Sequence, residues 1–291
     1  MKTLLNSFTL ALIAVLVGLT SCDERTAQNG ADVNDVEIDS TKSTIVNISG
    51  KLFSIPSPIQ TASLIDREKA PYRIDVLADY DAIDNIPERN MKALNLGILG
   101  IDMVYTSFYD DAQNSLNYYK AVDKLATDLE IKSAIDQQLI NRVGTNVDNP
   151  DSLIYLSSQF YQSLDAYLKE NDRTEVAALV LTGAWVESTM LTALSDDESA
   201  REALAAQKKA SSTLNDLLSK IDLNNSDFLI ELDSLNDSFE SIEKKYKYNT
   251  PEVFPEQKRT VIKSESTYNI TDSLKGDIQR RLIKLHHIIN G

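Results

Sequence analysis

The sequence predicts an all-α protein, a bundle of about seven to nine antiparallel helices behind a disordered N-terminal tether, and three observations carry that expectation. Gly and Pro number only 9 and 7 in 291 residues, about half of the roughly 7% and 5% of average usage, which argues against turn-dense all-β, collagen-like and low-complexity chains. Apolar residues recur at helical 3-4 spacing in segment after segment, and helix-start signals precede several of them. Hydrophobic residues at 42% and charged residues at 25% lie near the globular averages of about 45–50% and 25%, enough for one packed core.

The first element precedes the fold. Lys2 gives a positive start, Phe8 to Leu19 is apolar apart from Thr9 and Gly18, and the whole is too short for a membrane span. Residues 1–21 therefore read as a signal peptide. It closes on Leu19-Thr20-Ser21-Cys22, which resembles the bacterial lipobox and implies lipidation of Cys22 by a diacylglycerol. Ordinary secretory cleavage beside an incidental cysteine is the alternative. Cys22 is the sole cysteine, so neither an internal disulfide nor a multi-cysteine metal site can form. Removing residues 1–21 from 291 leaves 270, with a formal charge of −16 once Lys2 is gone. The expected anchor is lipid.

Asp23 and Glu24 follow the lipidated position directly. In lipoproteins of the Bacteroidota type, acids here resemble a signal for export to the cell surface; in enterobacterial-type cells, Asp here resembles an inner-membrane retention signal. The expected location is the cell envelope, as an outer-membrane lipoprotein with surface exposure. Residues 22–43 hold six acids against Arg25 and Lys42. Such a segment buries too little apolar surface to offset its ordering entropy, and reads as an acidic disordered tether.

Residues 44–291 are expected to form a single helical domain. Thr44 to Phe53 is β-rich and fits a short strand or extended arm. Ser57-Pro58-Ile59-Gln60 combines an N-cap, a first-turn proline and a capping-box glutamine. Further starts stand at Pro87, at Asp110 with Gln113, at Asn149 before Pro150, at Thr174, and at Ser195 with Glu198. Leu214, Leu217, Leu218 and Ile221 share one face; Phe228, Leu232, Leu235, Phe239, Ile242 and Tyr246 share another. Pro251 and Pro255 break the chain, Thr260 to Thr271 reads as extended, and Leu274, Ile278, Leu282, Leu285 and Ile289 mark a last amphipathic helix.

Two helices are apolar on nearly every side, Pro87 to about Tyr109 and Thr174 to Leu194, and should be central. Gly97, Gly100 and Gly183 weaken them, which makes sense if neighbouring backbones approach closely there. Around these residues the chain resembles a family of uncharacterised secreted lipoproteins of the Bacteroidota. The resemblance rests on Phe53-Ser54-Ile55-Pro56-Ser57-Pro58, on Lys92-Ala93-Leu94-Asn95-Leu96-Gly97 with Gly100 and Asp102, on Arg142 to Ser152 with its asparagines, and on Gly183-Ala184-Trp185-Val186-Glu187. It implies an envelope protein and no particular reaction.

Chemistry is thinly marked. With 29 basic against 44 acidic residues the chain carries −15, so it has no net attraction for phosphate backbones and nucleic acid is not an expected partner. Asn95 and Asp102 are seven apart on one face of the first apolar helix, and Glu187 faces inward from the second. Arg142, eleven residues after Ile131 and seven after Ile135, is placed on an apolar face as their partner. These four make a candidate pocket for a ligand or for acid–base work, or else an interior ion-pair network that fixes helix register; buried charges need partners in either case.

No Glu-x-x-His pair exists for a di-iron bundle. His286 and His287 point about 100° apart on the last helix and read as its surface and flank. Asp222 to Asp227 begins like a calcium loop but lacks its glycine and final glutamate, so it reads as an interhelical turn. Tyr105, Tyr109, Tyr118, Tyr119, Tyr155, Tyr161 and Tyr167 could line a groove for a sugar or peptide, or simply edge the core. Asp-Ser-Leu at 151, 233 and 272 resembles a short O-glycosylation motif. No catalytic set, metal site or cofactor is implied. The expected function is a membrane-anchored helical binding module, whose partners are the membrane through Cys22 and an envelope protein or small ligand; the alternative is an envelope enzyme or enzyme inhibitor with a central Asp/Glu/Arg pocket.

Overall fold

The computed structural model describes residues 44–48, 51–55 and 70–291, the latter without 132–136, 147–148, 150, twelve positions between 153 and 172, and 197, 224, 249, 258 and 262–263. The signal peptide, Cys22, Asp23, Glu24, the tether and the start at Ser57 lie outside the described residues.

The protein is mostly helical. Among the described residues its helices include α1 (Arg89–Phe108), α2 (Ala112–Asp128), α3 (Gln137–Thr145), α4 (Thr174–Leu194), α5 (Glu198–Ala206), α6 (Lys208–Leu218), α7 (Ser226–Glu240) and α8 (Asp272–Asn290). Two strands, β1 (Thr44–Ile48) and β2 (Lys51–Ile55), pair antiparallel with Thr44 opposite Ile55 and run beside α4 and α6.

Caps fix the starts. Asp111 accepts from the Asn114 amide at 3.1 Å, one residue after the expected Asp110, and Asn225 accepts from the Phe228 amide at 3.0 Å as the N-cap of α7, whose first turn already holds Ser226 and Asp227. Asn149 takes the Ser152 amide at 3.0 Å, and Thr271 takes that of Leu274 at 3.2 Å. The ends of α1 and α2 turn over through Asp110 and Glu130, at φ 58° and 57°, the left-handed geometry that closes a helix.

The core is built on α1 against α4. Every residue of α1 from Ala93 to Phe108 and of α4 from Ala177 to Ala193 is buried. A Cβ on Gly97 would fall on the Val180 carbonyl oxygen and lie 2.6 Å from the Ala184 amide nitrogen; one on Gly183 would fall on the Leu94 carbonyl, 2.7 Å from its carbon. The two backbones are therefore in contact, as only glycine permits. α2 flanks α1, α8 lies against α4 and α7, and α6 packs on α7. Thr174–Leu194 is long and apolar enough to cross a membrane, but Ala177 to Ala193 are all buried in the fold, so its apolarity is used in the core.

One helix is shorter than its spacing predicts. The apolar series from Phe228 is buried through Phe239 and Ile242, yet α7 stops at Glu240. Glu243–Tyr248 is instead β3, paired antiparallel with β6 (Ser264–Asn269), and Glu252–Phe254 (β4) pairs with Arg259–Val261 (β5). Tyr246 lies opposite Ser266 in this ladder. Alternating Lys and Tyr suit an extended edge as well as a helix, and the partner strand decides.

Candidate functional site

The polar centre of the molecule forms where α1 and α4 cross. Gly97 brings the helices together and Asp102 follows on α1; Gly183 does the same on α4, with Glu187 one turn later. Both carboxyl groups are 0% exposed. Each perturbs the titration of the other, and the Asp102 Oδ2 accepts the Ala78 amide at 3.1 Å. The Ala78 carbonyl in turn accepts the Tyr118 hydroxyl at 2.9 Å. From α8, His286 Nε2 stands 3.2 Å from Glu187 Oε2.

Burial dominates the electrostatics. It raises both carboxyl pKa values; Glu187 is pushed further by the charge of Asp102, whereas hydrogen bonds from Glu187 and Ala78 pull Asp102 partly back. Burial also lowers His286 to about 4, with His287 adding to the effect. The imidazole is thus neutral at pH 7. Asp102 Oδ1, both Glu187 oxygens and His286 Nε2 make no hydrogen bond of good geometry.

Asn95 is buried where the sequence places it, but its amide ties helices together: it donates to the Met91 carbonyl at 2.9 Å and to the Ile289 carbonyl at 2.8 Å. Arg142 corrects the expectation. It is exposed on α3 and joins neither carboxylate. Its expected phase rests on Ile131 and Ile135; Ile131 follows the turn at Glu130 and is not helical, Ile135 lies outside the described residues, and an arginine in the last turn of α3 suits the helix dipole in water.

His286 corrects a second expectation. It is 5% exposed, not a surface residue, and only His287 faces out. Its position, four after Leu282 and three before Ile289, is the signal that marks it as inward. Helical phase could have found it.

Of the described tyrosines in this set, Tyr105 lines a small recess of about 20 Å³ beside Arg73 and Leu191, and several join elements together. Tyr72 stacks on Tyr109 at 4.9 Å, Tyr105 packs on Tyr109 at 5.0 Å, and their hydroxyls bind Asp111, the Arg73 amide and the Ala70 carbonyl. They fasten the irregular chain before α1, whose backbone groups need partners, onto α1 and α2. Tyr118 does the same through Ala78. Tyr119 and Tyr167 are half-buried, Tyr155 is exposed, and Tyr161 lies outside the described residues.

Two surface clefts, of about 380 Å³ beside Tyr80, Asp84, Asn117 and Lys124 and of about 450 Å³ beside Glu243, Asn269 and Arg280, are lined by none of Asp102, Glu187 and His286. Among the described residues no three His, Cys, Asp or Glu side chains converge as a metal site requires. The cluster is closed to any substrate larger than a proton. Comparison with protein families, with curated proteins and with solved structures gives no match.

Proposed function

We propose that the chain is a lipoprotein of the cell envelope, anchored in the outer membrane through Cys22, whose helical domain works as a binding or interaction module. The lipobox Leu19 to Cys22 behind a signal-length apolar stretch supports the anchor. Full burial of Asp102 and Glu187, with His286 only 5% exposed, is the observation that favours a module over an enzyme: groups with almost no exposed surface present little to a substrate. The exposed Arg142 removes the third member from the central pocket that an enzymatic reading needs. On this reading the tether holds the domain off the membrane, and the ligand is an envelope protein or a small molecule.

Intact mass of the protein from native membranes tests the anchor, since lipidated Cys22 must carry diacylglycerol at the new N-terminus. Cys22→Ala should accumulate as unprocessed or soluble protein. An unmodified N-terminus on the wild type would overturn the reading.

A further inference from the structure

Two fully buried carboxyl groups, Asp102 on α1 and Glu187 on α4, stand close enough to perturb each other, and among the described residues no lysine or arginine pairs with either. The groups that face them are few. Tyr118 approaches from α2 and Tyr72 from the chain before α1; both are phenols whose pKa burial raises, so they stay neutral. His286 comes from α8, with His287 behind it. Two adjacent carboxylates here would be two uncompensated charges in the driest part of the molecule, which a folded protein does not sustain. Each would also leave oxygens without a donor. One proton removes one of the two charges and supplies a donor between the acids, and the anion that remains accepts the Ala78 amide.

We propose that Asp102 and Glu187 form a proton-binding site that holds one proton between them through the neutral range, and that this proton is what lets α8 lie against the central helix pair. The proton sits on Glu187 and is donated to Asp102, whose Oδ2 already holds the Ala78 amide. Glu187 Oε2 faces His286. When the Glu187 O–H bond breaks and the proton leaves to solvent, the electron pair stays on Glu187 and two anions face each other. Water must then reach them, and the way in is past the turn of α8 that carries His286.

The sign of the pH dependence follows. Both carboxyl pKa values are raised on folding, so the folded chain keeps a proton that the unfolded chain has already lost above the ordinary range of about 4. That contribution is complete at low pH and is lost as pH rises. His286 works oppositely: its pKa falls from 6.5 to about 4, so its share is lost as pH drops through that interval. The two compete below about pH 6.5. Above it the carboxyl pair acts alone, because Asp111 and Asp277, both held low, are already ionised.

Urea unfolding of the mature protein between pH 6.5 and 9 is the test, with Glu187→Gln beside the wild type. The folding constant of the wild type should fall by up to about tenfold per pH unit. In Glu187→Gln the amide hydrogen replaces the acidic proton and cannot be lost, so only the titration of Asp102, raised by burial to about 7, should remain and the profile should flatten above about pH 8. Amide exchange in α8 around His286 should rise with pH faster than base catalysis requires in the wild type, and not in the variant. A variant that keeps the wild-type slope overturns the proposal. If Glu187→Gln fails to fold, the infrared carbonyl stretch of an un-ionised carboxyl group in wild type at pH 7 decides: its presence supports the site, and its absence overturns it.

Discussion

The two seams along which α8 meets its neighbours hold a carboxyl group out of water in opposite ways. Towards α7, Glu231 is 4% exposed and receives Arg281 at 3.2 Å and Lys284, while Asp277 binds Arg280, Arg281 and the Ser238 hydroxyl. Towards α4, Glu187 is 0% exposed and meets another acid and a neutral imidazole. Water explains the difference. The Lys284 side chain is 65% exposed and that of Arg281 32%, so each keeps its stem on the helix flank and its head near solvent while reaching Glu187's counterpart at the rim. One layer deeper a cation would itself be desolvated, at several kcal/mol. Cations compensate charge at the rim, and a proton does so in the middle.

The largest expected effect lies at the crossing that creates the inner pair. Gly183→Ala places a methyl group on the Leu94 carbonyl, and backbone cannot yield as a side chain can. Overpacking costs about 1–3 kcal/mol and more where nothing can shift, so a loss of at least about 3 kcal/mol is expected in urea melts, with Gly97→Ala close behind. A small effect in both would mean that α1 and α4 stand further apart and that Asp102 and Glu187 do not touch.

The rim should respond less, and differently. Removing Glu231 leaves Arg281 and Lys284 free to turn into water, so Glu231→Ala is expected to cost about 1–2 kcal/mol, between the exposed and buried limits. Part of that cost should vanish in about 1 M salt, which screens pairs near solvent. The inner pair should be insensitive to salt. A salt-independent loss at Glu231 would make the two seams alike.

An intermediate case tests the link between the inner pair and the chain before α1. Tyr118→Phe removes the hydroxyl that the Ala78 carbonyl accepts while the Ala78 amide still serves Asp102. A buried acceptor left unpaired costs about 1–3 kcal/mol. Proteolysis should locate the weakness before α1, and cleavage elsewhere would show that Tyr118 does not fasten that segment.

These contrasts mark what the sequence could and could not disclose. α4 is legible from Thr174 to Leu194 because apolar residues all round a helix have one use in a bundle, and Gly97 and Gly183 announce their own crossing. Asp102 and Glu187 are legible as buried for the same reason. Their compensation is not: a sequence displays candidate cations but not the absence of one, so an arginine is the natural partner to assign. His286 was hidden by its neighbour, since two adjacent histidines point apart and nothing local says which one turns inward until the phase of Leu282 and Ile289 is applied. The β3–β6 ladder is illegible because its paired residues are sixteen to twenty-six apart in the chain, from Tyr248 opposite Ser264 to Glu243 opposite Asn269, and Lys-Tyr alternation has no strong preference of its own.

The smallest expected effect belongs to Arg142, and it is the sharpest check on the contrast between rim and centre. An arginine paired with a buried carboxylate would cost about 3–5 kcal/mol on truncation, because the carboxylate would be left charged and alone. Arg142 instead stands exposed in the last turn of α3, where its charge meets only the carbonyl end of its helix, an interaction of about 0.3–1 kcal/mol that salt weakens. Arg142→Ala should therefore shift the urea midpoint by no more than about 0.5 kcal/mol, since alanine returns some helix propensity, and should leave the slope above pH 6.5 unchanged. A loss near 3 kcal/mol together with an altered pH slope would put the guanidinium back against Asp102 and Glu187, and the centre of the bundle would then be compensated by a cation after all.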